Sequence, residues 1–162
     1  MTNHQQVTSE RQAIFHRNNE IEWLYFNHAP GEKFCIRVKG EDTNGAYSIL
    51  DVVADYSSYG PPYGTPLHLH QRADEIFRII EGNARFHLDG KEFDAGVGDI
   101  VVIPKNTIHA WANFSDTPLH MQITFTPAGD EHAFLDAAAG NHDADETATK
   151  HQIITVGPPL ER

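Results

Sequence analysis

Residues 75–94 read EIFRIIEGNARFHLDGKEFD, and this stretch decides the fold class. Ala84, Phe86 and Leu88 alternate with polar residues, so they share one face of an extended strand. The pair Asp89-Gly90 follows and supplies the left-handed backbone that a tight hairpin turn requires. A hairpin with one apolar face indicates a β-sheet that is buried on one side.

The same pattern of short strands and turns extends in both directions from this hairpin. Ten runs rich in β-branched and aromatic residues are separated by turn residues, which is typical of an all-β domain. The runs are Ile21–Phe26, Phe34–Val38, Ala46–Ala54, Pro66–His70, Glu75–Glu81, Ala84–Leu88, Lys91–Asp94, Asp99–Ile103, His109–Phe114 and Leu119–Phe125. So many strands with almost no helix among them predict a β-sandwich or barrel.

The two ends of the chain differ from this central region. Residues 1–20 are polar and are predicted to be a flexible N-terminal segment, whereas residues 21–127 form the barrel. Residues 128–162 are predicted to be a C-terminal helix and a tail that docks on the barrel. The helix is expected at 130–139, which is Ala-rich with acidic residues at its start. A mobile linker is expected at 141–149 and an extended tail at 153–160.

Composition restricts the classes of partner. The chain has 162 residues, which favours one domain. Its 12 basic and 23 acidic residues give a net charge of −11, which argues against nucleic acid and anionic membranes as partners. Cys35 is the single cysteine, which excludes an internal disulfide and a cysteine-based metal site. No signal-peptide pattern or long apolar run is present, so we expect a soluble, cytoplasmic protein.

Four residues form a candidate metal site: His68, His70, Glu75 and His109. Positions i and i+2 of a strand project from the same face, so His68 and His70 can reach one point. Glu75 begins the next strand after a short turn, and barrel closure can bring His109 nearby. Imidazoles with one carboxylate suit a divalent transition metal, namely Fe, Mn, Ni, Co, Cu or Zn.

The other histidines have simpler interpretations. A lone histidine is usually a surface residue or a core residue with its hydrogen bonds satisfied. This interpretation applies to His4, His16, His28, His132, His142 and His151. His87 and His120 lie on strand faces opposite apolar neighbours and are also expected to be structural.

The chain resembles the cupin superfamily in two motifs. The order His68-x-His70-x4-Glu75-x6-Gly82 is similar to the first cupin motif. The stretch Gly98-x5-Pro104-x-Asn106-x2-His109-x3-Asn113 is similar to the second. The resemblance implies an all-β double-stranded β-helix, or jelly-roll, barrel in which the four candidate residues hold one metal ion.

Shorter phrases resemble small bacterial cupins of the quercetin-dioxygenase-like group. These are 64–68 (GTPLH), 126–129 (TPAG) and 157–160 (GPPL). That resemblance implies a dioxygenase acting on a small planar, flavonol-like compound and dioxygen, with Glu75 as a ligand that also takes a proton. Two alternatives stay open: a metal-dependent isomerase or epimerase of a sugar or keto compound, and a small-molecule-binding protein without catalysis.

Candidate substrate contacts and partners complete the sequence-based predictions. Apolar residues that could line a substrate pocket are Phe77, Phe86, Trp111, Met121, Ile123 and Phe125. Tyr56, Tyr59 and Tyr63 are interpreted as loop aromatics covering the barrel rim, with a ligand-gating lid as the alternative. The resemblance also implies a homodimer, because pairing through edge strands hides an edge that would otherwise aggregate.

Overall fold

The structure is a computed structural model that describes residues 13–55 and 63–162. Tyr56 and Tyr59 lie outside the described residues, and only the backbone of Tyr63 lies within them. Both interpretations of this tyrosine-bearing segment therefore stay open.

Two antiparallel sheets form the body of the molecule. The first contains, in spatial order, β1 (Leu24–Phe26), β2 (Ala29–Val38), β3 (Ser48–Ala54), β11 (Leu119–Thr126), β6 (Asp74–Glu81) and β9 (Ile100–Ile103). The second contains β12 (Ile153–Pro159), β5 (Pro66–His70), β10 (His109–Asn113), β7 (Asn83–Leu88) and β8 (Lys91–Gly96), and the short β4 (Tyr63–Gly64) pairs with β10. The all-β jelly-roll barrel predicted from the sequence is confirmed.

The hydrophobic core lies between the two sheets. On β11 the side chains of Leu119, Met121, Ile123 and Phe125 are buried, and they alternate with half-buried polar neighbours. The period of two places all four on the inner face, as the sequence predicts. They pack with buried aromatic residues from several other strands, which include Phe34, Phe77 and Phe86.

The hairpin that decided the fold class is present. Strands β7 and β8 pair in antiparallel register from Leu88 opposite Lys91 to Asn83 opposite Gly96. Asp89 and Gly90 have φ values of 45° and 80°, the left-handed backbone of such a two-residue turn.

The C-terminal region corrects one expectation. The predicted helix is α1 (Glu131–Ala138), but the stretch interpreted as a mobile linker contains a second helix, α2 (Ala144–His151). The Asp143 side chain caps α2 by accepting hydrogen bonds from the backbone N–H groups of Asp145 and Glu146, each at 3.0 Å. The tail then pairs as β12 with β5, the strand that carries two candidate ligands.

Among the residues that the structure describes, none of the helices combines the length and apolar character that spanning a bilayer requires.

Candidate metal centre

The four candidate ligands come from three strands of both sheets. His68 and His70 lie on β5, and His109 lies at the start of β10 directly opposite His68. Glu75 lies near the start of β6, in the facing sheet. The group therefore sits between the sheets, with three imidazoles on one side and one carboxylate on the other.

The ligand atoms converge on one point. One donor atom from each residue lies within 4.8 Å of all the others. Nε2 of His109 is 2.9 Å from Oε2 of Glu75, and Nε2 of His70 is 3.4 Å from the same oxygen. Nε2 of His68 is 3.2 Å from Nε2 of His70. All four side chains are buried, so the group is withdrawn from bulk water.

Each imidazole is oriented by a hydrogen bond on its other nitrogen. Nδ1 of His68 lies 2.8 Å from the Pro66 carbonyl oxygen, and Nδ1 of His109 lies 2.9 Å from the Thr107 carbonyl oxygen. A carbonyl only accepts, so each of these Nδ1 atoms donates and leaves a lone pair on Nε2. Such outer hydrogen bonds are the usual means by which metal-binding histidines are oriented. The donor set therefore fits a cation.

Asp130 provides the third outer contact. Its Oδ2 accepts a hydrogen bond from Nδ1 of His70 at 2.6 Å, and the residue is 1% exposed. Asp130 immediately precedes α1, where an acidic residue was expected to meet the helix end, but its side chain makes no capping hydrogen bond. This role could not be predicted from the sequence because no spacing rule connects Asp130 to His70.

The electrostatics of the group favour positive charge at its centre. Burial lowers the pKa of His68 to about 3, and the neighbouring His109 and His70 add to this effect. Burial also opposes a charge on His70, but Glu75 and Asp130 outweigh it and raise the pKa of His70. Burial opposes ionisation of Glu75, yet the imidazoles outweigh it and hold the pKa of that carboxyl below its usual range. The carboxylates thus attract a cation, either a proton on His70 or a metal ion.

A cavity of about 360 Å³ opens onto this group. His68, His70 and Glu75 form part of its wall. Its apolar wall includes residues from strands and from both C-terminal helices, namely Phe26, Val52, Trp111, Phe134, Ala137 and Ala144. The volume lies within the range of small-molecule sites, and an apolar wall with a few convergent polar groups is typical of them.

The six predicted pocket residues have different positions. Trp111 lines the cavity. The other five, Phe77, Phe86, Met121, Ile123 and Phe125, are buried in the hydrophobic core and do not form its wall. Phe125 still packs against the ring of His70, with centroids 5.5 Å apart. Contact between these five residues and a ligand stays a prediction.

Three titratable residues of the cavity wall were not predicted from the sequence. His28, in the turn between β1 and β2, stacks on His142, which precedes α2, with ring centroids 4.4 Å apart. Burial lowers the pKa of His28, and the neighbouring His142 lowers it further. Glu32 on β2 is the third, and it is 8% exposed. None belongs to a local motif, so only the fold brings them to the cavity.

Comparison with known proteins supports this architecture. Residues 57–126 match the family model described as Cupin domain. An uncharacterized protein of Methanocaldococcus jannaschii is 38% identical over 55 residues, which cover 34% of this chain. The match spans 44% of that relative's own length.

Solved structures share the fold at low sequence identity. KdgF from Halomonas sp. is 22% identical, with a TM-score of 0.61 over 75% of this chain and 99% of its own. A structure from Silicibacter pomeroyi, described as a sugar phosphate isomerase from a cupin superfamily, is 19% identical to this chain. Its TM-score is 0.55, and the match covers 67% of this chain and 72% of that structure. The cupin-domain match thus covers residues 57–126, and these neighbours share the fold of this chain.

Proposed function

We propose that this protein is a metal-dependent dioxygenase that acts on a small planar, hydroxylated compound of the flavonol type. Its metal ligands are His68, His70, Glu75 and His109. The observation that carries the proposal is the opening of this buried, convergent donor set onto an apolar cavity of about 360 Å³.

The donor set suits a resident transition metal. Three imidazoles and one carboxylate are ligands of intermediate hardness, compatible with Fe, Mn, Ni, Co, Cu or Zn. A bound ion supplies Lewis-acid chemistry, and the redox-active members of this series also supply the one-electron chemistry that reactions with dioxygen require.

The protein's own side chains have separate tasks in this proposal. Glu75 is both a ligand and the acceptor of the substrate's hydroxyl proton, because its carboxylate faces the cavity. The aromatic rings of Phe26, Trp111 and Phe134 in the wall support binding of a flat, largely apolar molecule. Burial of the donor set keeps bulk water away from the reacting groups.

The test combines metal replacement with a flavonol substrate. Metal-free protein is loaded with iron(II), manganese(II), nickel(II) or cobalt(II) and mixed with quercetin under air. Oxygen uptake and loss of the flavonol absorption band are expected with at least one metal. His109→Ala should abolish both signals, whereas His132→Ala, at an exposed histidine outside the site, should retain them. Neither signal with any metal would contradict the dioxygenase proposal.

A second candidate is a metal-dependent isomerase or epimerase of a sugar or keto compound. It is favoured by Glu32, a second buried carboxyl in the same cavity, because isomerisation moves protons between two substrate positions. The Silicibacter pomeroyi neighbour is described as a sugar phosphate isomerase. Turnover of such a compound without oxygen would select this candidate. Thermal stabilisation by ligands without any turnover would instead select a non-catalytic binding protein.

We also propose that the protein acts as a homodimer that pairs through an exposed sheet edge. Strand β9 is the last strand of the first sheet, and its outward side chains Ile100 and Val102 are 63% and 58% exposed. An exposed apolar edge strand is a surface that proteins usually cover.

A further inference from the structure

Glu32 is a buried carboxyl that the proposed metal site does not use. It lies on β2, in register with Ala54 of β3, in a different sheet from the three histidine ligands. Its carboxyl accepts a hydrogen bond from the backbone N–H of Gly64. Within residues 13–55 and 63–162, no lysine or arginine forms an ion pair with it.

A buried carboxyl without a basic partner among the described residues favours its protonated form. Burial raises the pKa of Glu32 to about 8, although the Gly64 hydrogen bond acts in the opposite direction. A protonated carboxyl is a hydrogen-bond donor, whereas an ionised one only accepts. The cavity therefore presents an O–H group on the wall formed by β2.

Other titratable groups surround the same cavity. The residues in its wall are His28, His68, His70, Glu75 and His142, and Asp55 follows Ala54 at the end of β3. Negative charge on Glu75 or Asp55 favours the protonated form of Glu32. A protonated histidine or a metal ion favours the carboxylate. Metal loading is thus expected to lower the pKa of Glu32. The tests of Glu32 therefore extend from pH 6 to pH 9.

We propose that Glu32 is a specificity-determining residue whose carboxyl donates a hydrogen bond to a ligand oxygen at the part of the cavity wall that β2 contributes. The ligand class is a planar hydroxy-carbonyl compound, with one oxygen directed to the four-residue donor set and a second oxygen accepting from Glu32. This inference rests on the proposed function, because it concerns the ligand of the same site.

The protonation state is tested first, without any ligand. Infrared difference spectra between the wild type and Glu32→Gln are recorded for the metal-free and the zinc-loaded protein from pH 6 to pH 9. A protonated-carboxyl band at pH 6 that disappears as the pH rises is expected. Glu81→Gln, at an exposed glutamate of β6, is the matched control and should show no such band. An ionised Glu32 at pH 6 in the zinc-loaded protein would overturn the inference.

Binding is then measured separately from turnover. The probe is quercetin, titrated without oxygen into the zinc-loaded protein, which cannot carry out one-electron chemistry. Ionisation of quercetin affects both proteins equally. The dissociation constant of the wild type divided by that of Glu32→Gln therefore reports only the protonation of Glu32. This ratio should rise by at least about tenfold from pH 6 to pH 9, since each pH unit above the pKa removes about nine-tenths of the protonated form. Glu32→Leu, which lacks the donor, should weaken binding at pH 6 by about tenfold.

The outcomes separate this inference from the dioxygenase proposal. A ratio that stays constant with pH, while quercetin is still consumed with oxygen, would overturn the role of Glu32 alone. A pH-dependent ratio without oxygen consumption by any metal form would support the role of Glu32 and contradict the dioxygenase. Failure of the zinc-loaded wild type to bind quercetin at pH 6 would overturn the ligand class stated here.

Discussion

Two buried polar clusters of this molecule both centre on a carboxylate, but they differ in how that charge is balanced. Around Asp51, which is 3% exposed, Arg37 donates from Nε and Nη2 to Oδ2 at 2.9 and 2.7 Å. His120 and Gln122 lie 3.1 and 3.2 Å from the same carboxylate. Its neighbours Leu50 and Val52 face the core, so Asp51 lies on the opposite face of β3.

The cluster around Glu75 has no such internal balance. Arginine supplies a permanent positive charge to Asp51, whereas Glu75 faces imidazoles whose outer nitrogens are already engaged. The lone pairs on the inner nitrogens then need a cation between them. A cluster that satisfies itself stabilises the fold, whereas a cluster that needs an added charge could hold a cation. Variants of the two clusters test this distinction.

The largest expected effect is the loss of metal binding on removal of a ligand. His109→Ala should weaken metal binding by more than the roughly 10- to 100-fold that loss of an outer partner costs. The measurement is elemental analysis of protein purified without added metal, followed by competition with a chelator. Asp51→Asn is the control from the self-satisfied cluster and should retain the metal. Equal metal content in the wild type and His109→Ala would mean that the four residues do not form a metal site.

The next effect concerns stability and falls on the other cluster. Asp51→Ala should lower the free energy of unfolding by about 3 kcal/mol, because it leaves the largely buried Arg37 without its partner. Burial opposes ionisation of Asp51, but hydrogen bonds from His120, Arg37 and Gln122 outweigh it and lower its pKa. A carboxyl with a lowered pKa stabilises the fold above its ordinary pKa, and this contribution is lost as the pH falls.

Urea denaturation of the Asp51→Ala protein at several pH values tests that expectation. The difference from the wild type should be largest near neutral pH and should shrink on acidification. A loss below about 1 kcal/mol at neutral pH would place this cluster among ordinary surface ion pairs.

The strands and part of the candidate metal site could be predicted from the sequence. The strands and the shared face of His68 and His70 follow from spacing, because side chains of a strand alternate with a period of two. Glu75 and His109 join them only through the predicted turn and the closure of the barrel. The helix α2 was missed because its sequence is polar, although Asp143 followed three residues later by Glu146 is a helix-start pattern. That signal was available in the sequence.

Other features could not be found from the sequence. Glu32 and Asp130 are single acidic residues in segments without a motif, and their roles arise only from contacts across the fold. His28 and His142 are separated by more than a hundred positions yet stack in the cavity wall. Local periodicity carries no information on such pairs, because they depend on how the C-terminal helices pack on the barrel.

The smallest effect tests the outer contact of the metal centre. Asp130→Asn keeps the size of the side chain but replaces a charged acceptor by a neutral amide, so His70 becomes a less basic and less firmly oriented ligand. Metal affinity, measured by chelator competition at fixed pH, should fall about 10- to 100-fold while the binding stoichiometry is retained. Asp116→Asn, at an exposed loop position, is the control and should bind as the wild type does. If both variants bind the metal with the same affinity, Asp130 serves only to dock α1 on the barrel and does not contribute to metal binding.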